Sequence, residues 1–172
     1  MSMPEWVEPM AATLTGERFT GPDWIFERKF DGIRLPAFKK GADVRLLSRN
    51  RLPQNCPSIA AAIANLPWQE VILDGEITWG NAGTVYHVFD LLWLDGRDVM
   101  PLPLDERRAL LDALALGPPL EHVAALTGPK PWERACEEGW DGVIAVHGKL
   151  RHSRFLRVRT DKSAREVMRE TP

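Results

Sequence analysis

The stretch Glu27-Arg28-Lys29-Phe30-Asp31-Gly32-Ile33-Arg34 decides how this 172-residue chain is read. It joins Trp24 to Lys29 (WIFERK), a segment rich in strand formers, to a second such segment from Ile33 to Lys40, through an Asp-Gly turn in which glycine can supply φ > 0. A third segment, Val44 to Ser48, follows Gly41-Ala42, so an antiparallel meander is expected here.

Working outward, Ser58 to Asn65 after Pro57 reads as a helix, and the apolar run Val71 to Ile77 reads as a strand. Thr84 to Leu92, across a loop with Gly80, Asn81 and Gly83, makes a second strand pair. Leu104 to Leu114 (LDERRALLDAL) has apolar residues at helical spacing, and Pro131 to Glu138 is a further helix. Gly142 to Val146 and Phe155 to Arg159 close the chain as strands. No repeat or low-complexity tract interrupts this order. Strands with interspersed helices and little βαβ alternation predict an α+β domain with largely antiparallel sheets.

At 44% hydrophobic and 27% charged, residues 1–172 are expected to form one domain with a real core. No apolar run approaches the roughly 18 residues of a membrane helix, and Met1 to Thr15 is neither a signal nor a transit peptide, so a cytoplasmic protein without membrane contact is expected. Cys56 and Cys136 lack a CxxC partner or a neighbouring histidine, which argues against zinc or a disulfide and for buried thiols. The net charge of −2 does not announce a nucleic-acid binder. Basic residues nonetheless cluster twice, at Arg28, Lys29, Arg34, Lys39 and Lys40, and at Lys149, Arg151, His152, Arg154, Arg157, Arg159 and Lys162. A solvated face is the plain reading of either run.

Lys29-Phe30-Asp31-Gly32-Ile33-Arg34 fits K-x-D-G-x-R, and further strings follow in order: Leu47-Ser48-Arg49-Asn50, Leu73-Asp74-Gly75-Glu76-Ile77, Tyr86-His87-Val88-Phe89-Asp90-Leu91-Leu92, Gly139-Trp140-Asp141-Gly142-Val143-Ile144-Ala145-Val146 and Phe155-Leu156-Arg157-Val158-Arg159. Together they resemble the motifs of the adenylation (nucleotidyltransferase) domain of ATP-dependent DNA ligases, with a flavour closest to bacterial end-joining ligases. The resemblance covers about residues 8 to 160. It implies an ATP-grasp-like nucleotidyltransferase fold, ATP and Mg²⁺ (or Mn²⁺) as cofactors, and Lys29 as the residue that accepts AMP.

Attack on the α-phosphate needs an uncharged amine, whereas free lysine has a pKa of about 10.4. Mg²⁺, Arg157, Arg159 and partial burial would favour the neutral form of Lys29. The resemblance further implies that Glu27 meets the adenine edge, Phe89 lies under the adenine ring, and Arg34 and Arg49 contact ribose, phosphates or a 5′-phosphate at a break. Glu76 would bind ribose or metal, and Asp141 would hold metal. Arg157 and Arg159, two apart on one strand, would take the phosphates, replacing two lysines with planar forks. Arg49, Lys149, Arg151 and Arg154 would contact nucleic acid.

Two departures stand out. Val146 replaces a phosphate-binding lysine, and Asp141 is one methylene shorter than the glutamate usual at its position. The family usually continues into an OB-fold domain, so a separate protein is expected to supply that function or a DNA grip for strand sealing, while self-adenylation is expected of this domain alone. DNA with strand breaks is the implied partner and the nucleoid the implied place of action. Three other readings remain: a weak or inactive fold that binds nucleic acid or a repair partner, recognisable by steeply salt-dependent binding without adenylation; an RNA ligase or capping guanylyltransferase; and a structural domain with a chance Lys-x-Asp-Gly.

Overall fold

The structure is a computed structural model that describes residues 2–81, 83–126, 128, 130–147 and 155–159, with 13–15 and 155–159 described by their backbone alone. In chain order these residues form strands β1 Ala12–Thr15, β2 Trp24–Arg28, β3 Ile33–Arg34, β4 Ala37–Lys40 and β5 Asp43–Leu46, then helix α1 Pro57–Ala64. Strands β6 Glu70–Gly80, β7 Gly83–Leu94 and β8 Arg97–Asp98 follow, then α2 Leu104–Ala113, β9 Leu120–His122, α3 Pro131–Glu137, β10 Gly142–His147 and β11 Phe155–Arg159. The α+β class expected from the sequence is the one observed. The described residues fall into two compact units, one from within Met1–Pro9 and Gly32–Val123, the other from within Met10–Asp31, Ala124–Gly148 and β11.

The larger unit is built on the antiparallel β6–β7 hairpin, in a sheet ordered β5-β4-β6-β7-β8, with β3 beside β6 and β9 parallel to β7. Val71, Leu73, Ile77, Tyr86, Val88 and Leu91 line one face and bury Ile59 and Ile63 of α1 and Leu111 of α2. Ile59 and Ile63 are four apart and so share one stripe of α1, each contributing about 1.5–3 kcal/mol on burial. Phe38, Ile72, Leu92 and Trp93 lie in a second apolar cluster, onto which Met3, Trp6 and Val7 pack from the N-terminal segment. With both faces covered, Val71-Ile72-Leu73 can be an unbroken apolar run instead of an alternating one.

The smaller unit is a four-stranded sheet, β1-β11-β10-β2, antiparallel except where β1 runs parallel to β11. Ala135 of α3 packs against Phe26, Val143 and Ala145, with Phe19, Trp24, Leu126 and Trp140 around them.

The expected meander is corrected. β2 pairs with β10, from Trp24↔His147 to Arg28↔Val143, and not with the segment that follows it. After Asp31-Gly32 the chain docks on β6 through Ile33↔Ile77 and Arg34↔Glu76. Ile33 to Lys40 is two strands, parted at Leu35-Pro36, because proline has no N–H for the ladder. β4 and β5 do form the expected hairpin. Cys56 is only half-buried and Cys136 is exposed, against the expectation of buried thiols; the short α3 turns Cys136 away from the face that carries Ala135. Among the described residues, no helix is long and apolar enough to cross a membrane.

Candidate active site

In the smaller unit, the β2–β10 register sets Lys29. Its backbone N–H continues the ladder past Arg28 by donating to Gly142 O at 3.0 Å, which brings the lysine level with the Asp141-Gly142 turn. Lys29 Nζ donates to Asp141 Oδ2 at 2.9 Å and to Phe30 O at 3.2 Å. The lysine side chain is 14% exposed and the aspartate 47%, so a sheltered amine meets an acid that water and ions can reach. Two expected site residues, more than a hundred positions apart in sequence, are thus in direct contact. The shortness of Asp141 is compatible with that pairing.

Glu27 is buried in β2 opposite Ile144, on the strand face shared with Lys29. Val146 is buried within β10 opposite Ile25, so an apolar side chain occupies the position where a phosphate-binding lysine was looked for. The register puts Arg157 opposite Ile144 and Arg159 opposite Gly142, while their side chains lie outside the described residues. Lys149, Arg151 and Arg154 also lie outside them.

In the larger unit, both motif glycines serve close approach. A Cβ on Gly32 would collide with the Ile77 carbonyl oxygen, so φ > 0 is not what selects glycine there. The amide of Gly32 donates to Glu76 Oε1 at 2.8 Å, tying the turn to the acid of the D-G-E string. A Cβ on Gly75 would meet the Tyr86 ring at 2.6 Å. Tyr86 is fully buried, and its hydroxyl donates to Leu35 O at 2.7 Å; burial, then the Asp74 charge, holds its phenol well above the ordinary range.

On the other face of the hairpin, Asp74 and Asp90 stand directly opposite each other. Arg34 grips Asp74 through Nε to Oδ1 at 3.0 Å and Nη2 to Oδ2 at 2.6 Å, and its guanidinium lies 5.1 Å from the centroid of the Phe89 ring. Burial opposes the charge of Arg34, but Asp74, then Glu76 and Asp90, outweigh it and raise its pKa. Arg107 of α2 holds Asp90 through Nε to Oδ1 and Nη2 to Oδ2, both 2.8 Å. Burial raises the Asp90 pKa, Arg107 pulls it down, and the Asp74 charge pushes it up again. Arg34, Glu76 and Phe89 therefore belong to one paired, aromatic-bearing surface of this unit. Arg49 is exposed in the Ser48–Leu52 loop, which is closed by Ser48 N to Leu52 O at 2.9 Å and by Arg51 in the left-handed region at φ 62. The N-terminal basic cluster is not one solvated face, since Lys39 is buried with its Nζ donating to the Gly41 and Trp68 carbonyls.

Sequence reading missed Arg107 and the irregularity at Phe89. The signal for Arg107 was Leu104, Arg107, Arg108 and Leu111 on one helical stripe, a core-facing surface with two arginines in it. The register shift between Asp74↔Asp90 and Gly75↔Val88 leaves Phe89 as the extra residue of a β-bulge, which strand propensity does not reveal.

Among the described residues, no three His, Cys, Asp or Glu side chains gather as a metal-binding group. An exposed carboxylate such as that of Asp141 is chemically suited to Mg²⁺, which binds through one or two carboxylates together with substrate phosphates.

The α+β architecture, with its mixed sheets and few helices, matches the nucleotidyltransferase fold of DNA ligases. A family model described as ATP dependent DNA ligase domain matches residues 9–82. The chain is 34% identical over 168 residues to the multifunctional non-homologous end joining protein LigD of Pseudomonas aeruginosa, covering 83% of this chain and 20% of that protein. It is 33% identical to the LigD of Mycobacterium bovis, covering 86% of this chain and 22% of the relative. A solved mycobacterial DNA ligase D complexed with ATP and MES superposes with a TM-score of 0.76 at 26% identity, over 88% of this chain and 60% of that one. The chain is homologous to ATP-dependent DNA ligase domains, which are nucleotidyltransferases, and it spans about a fifth of the length of these two LigD relatives.

Proposed function

We propose that residues 1–172 act as a single adenylation module that takes AMP from ATP onto Lys29, for the joining of DNA strand breaks in repair. The observation that carries this reading is the sheltered Lys29 amine held 2.9 Å from Asp141 at the end of β2, inside the K-x-D-G-x-R string. In the reaction, the Nζ lone pair attacks the α-phosphorus, the bond from that phosphorus to the bridging oxygen breaks, and pyrophosphate leaves with the bond's electron pair. Nζ loses one proton to solvent before attack, to become the neutral amine, and a second as the N–P bond forms, and the product is a lysyl–AMP phosphoramidate.

Asp141 would hold Mg²⁺ together with the phosphates, and Glu76 is the second candidate metal or ribose ligand. The bound ion would supply charge neutralisation along the triphosphate. Asp141 accepts from Lys29 Nζ, so a metal held by that carboxylate would leave the amine without this partner. Glu27 recognises the adenine edge, Phe89 stacks on the ring, and Arg34, Arg49, Arg157 and Arg159 serve ribose and phosphates. Arg49, Lys149, Arg151 and Arg154 contact DNA.

The solved relative bound to ATP supports ATP as the nucleotide, and the end-joining relatives support broken DNA as the substrate. Sealing needs a second grip on DNA, from another protein or another domain. The place of action is the cytoplasm, at the nucleoid. One observation favours a second reading, a weak or inactive module that binds DNA: Val146 is buried where the family carries a phosphate-binding lysine.

Incubation with α-labelled ATP and Mg²⁺ tests the proposal. Label that survives denaturation and is absent from Lys29→Ala is the expected result, and nicked duplex DNA is expected to discharge it once a partner supplies the second grip. No label on the wild type would overturn the enzymatic reading in favour of the binding module, and discharge by nicked RNA alone would overturn DNA as the substrate.

A further inference from the structure

Phe89 is the bulged residue of β7, so no residue of β6 stands directly opposite it in the ladder. The residue after it is fixed very tightly. Asp90 accepts Leu91 N at 2.9 Å on Oδ1, and both its oxygens accept from Arg107. Arg107 itself is 3% exposed and is anchored by Nη1 to Leu102 O at 2.7 Å. Directly across the ladder, Asp74 would repel Asp90 if either lost its arginine, because like charges placed opposite each other destabilise a strand pair. Arg34 neutralises Asp74 and lies over the Phe89 ring.

We propose that Arg107 is a positioning residue for the Phe89 ring, acting through Asp90 to hold the bulge in the conformation that presents the aromatic face to the purine of a nucleotide. This rests on the reading of Phe89 as the adenine platform. Arg107 itself touches no substrate; it sets the backbone on which the platform stands. A purely structural role, pinning α2 to the sheet, would weaken every ligand of the site alike. A positioning role weakens only ligands that carry a base.

The test compares two ligands of the whole chain in Mg²⁺: the α,β-methylene analogue of ATP, which cannot lose pyrophosphate, and inorganic tripolyphosphate, which has no base to stack. In Arg107→Lys the analogue is expected to bind about tenfold more weakly, the order of a lost base–aromatic stack. Tripolyphosphate affinity should stay within about twofold. Phe89→Leu should show the same selective loss, and Phe89→Leu combined with Arg107→Lys should lose no more than Phe89→Leu alone. Where Arg107→Lys shows no cooperative thermal transition, Asp90→Asn carries the same comparison. Unchanged analogue affinity, equal weakening of both ligands, or additive losses in the double variant would each overturn the inference while leaving the ATP reading in place. A wild type that binds tripolyphosphate but gains nothing from the base would overturn the Phe89 reading and this inference together.

Discussion

Two ion-paired regions of this molecule are built in opposite ways. The Lys29–Asp141 pair is a single contact to a carboxylate that is nearly half open to water. The Arg34–Asp74 and Arg107–Asp90 pairs are each bidentate, with Asp74 and Arg107 almost wholly buried. An exposed pair is worth about 0–1 kcal/mol and can be opened by a competing cation, whereas breaking one side of a buried pair strands a charge at a cost of about 3–5 kcal/mol. The first design suits a nucleophile that must change partners during a reaction. The second suits a platform that must not move.

The largest effect expected from breaking this contrast is chemical: Lys29→Ala should remove all covalent nucleotide, read as the loss of the AMP adduct in the intact-mass spectrum, while the thermal transition stays cooperative. Next, Arg107→Met should leave Asp90 buried without its guanidinium and lower unfolding free energy by about 3–5 kcal/mol in a urea titration. Gly32→Ala comes third, because its methyl group would press on the Ile77 backbone carbonyl, which can yield only by shifting β6; about 1–3 kcal/mol is expected in the same titration. Asp141→Asn should cost at most about 1 kcal/mol of stability yet sharply reduce adduct yield at limiting Mg²⁺, which separates the labile pair from the structural ones.

The smallest effect is a pH dependence. Burial and then the charge of Arg108 depress the His122 pKa below 6.5, against a pull upward from Asp112. A depressed folded-state value means that the unfolded chain binds the proton more readily, so this contribution is complete above about pH 6.5 and is lost as pH falls through the folded value. The urea midpoint should therefore fall between pH 8 and pH 5, and His122→Gln should flatten that fall.

Much of this was legible from residues alone. Lys29 and Asp141 are singled out by their strings alone, and the long strands, the three helices and the β4–β5 hairpin follow from strand-forming and apolar runs, turn residues and helical spacing. What was not legible has a common cause. β2 was assigned to its sequence neighbours because turn chemistry at Asp31-Gly32 is a local signal, while its actual partner, β10, lies more than a hundred positions further along the chain. Lys39 was counted among solvated charges because its burial depends on two carbonyls, one of them on Trp68, far along the chain.

The amino-acid sequence by itself determined which side chains can do chemistry and where the three helices and the longer strands lie, since both follow from residue type and short-range patterning, but not the short strands β1, β8 and β9, which exist through their pairing. The tertiary structure alone decided that Asp141 reaches Lys29, that Phe89 stands on a bulge, and that Arg34 and the buried Arg107 neutralise two facing aspartates. Those are pairings between distant residues, set by strand register and by the need to neutralise every buried charge, and neither quantity is written in any local window of the chain.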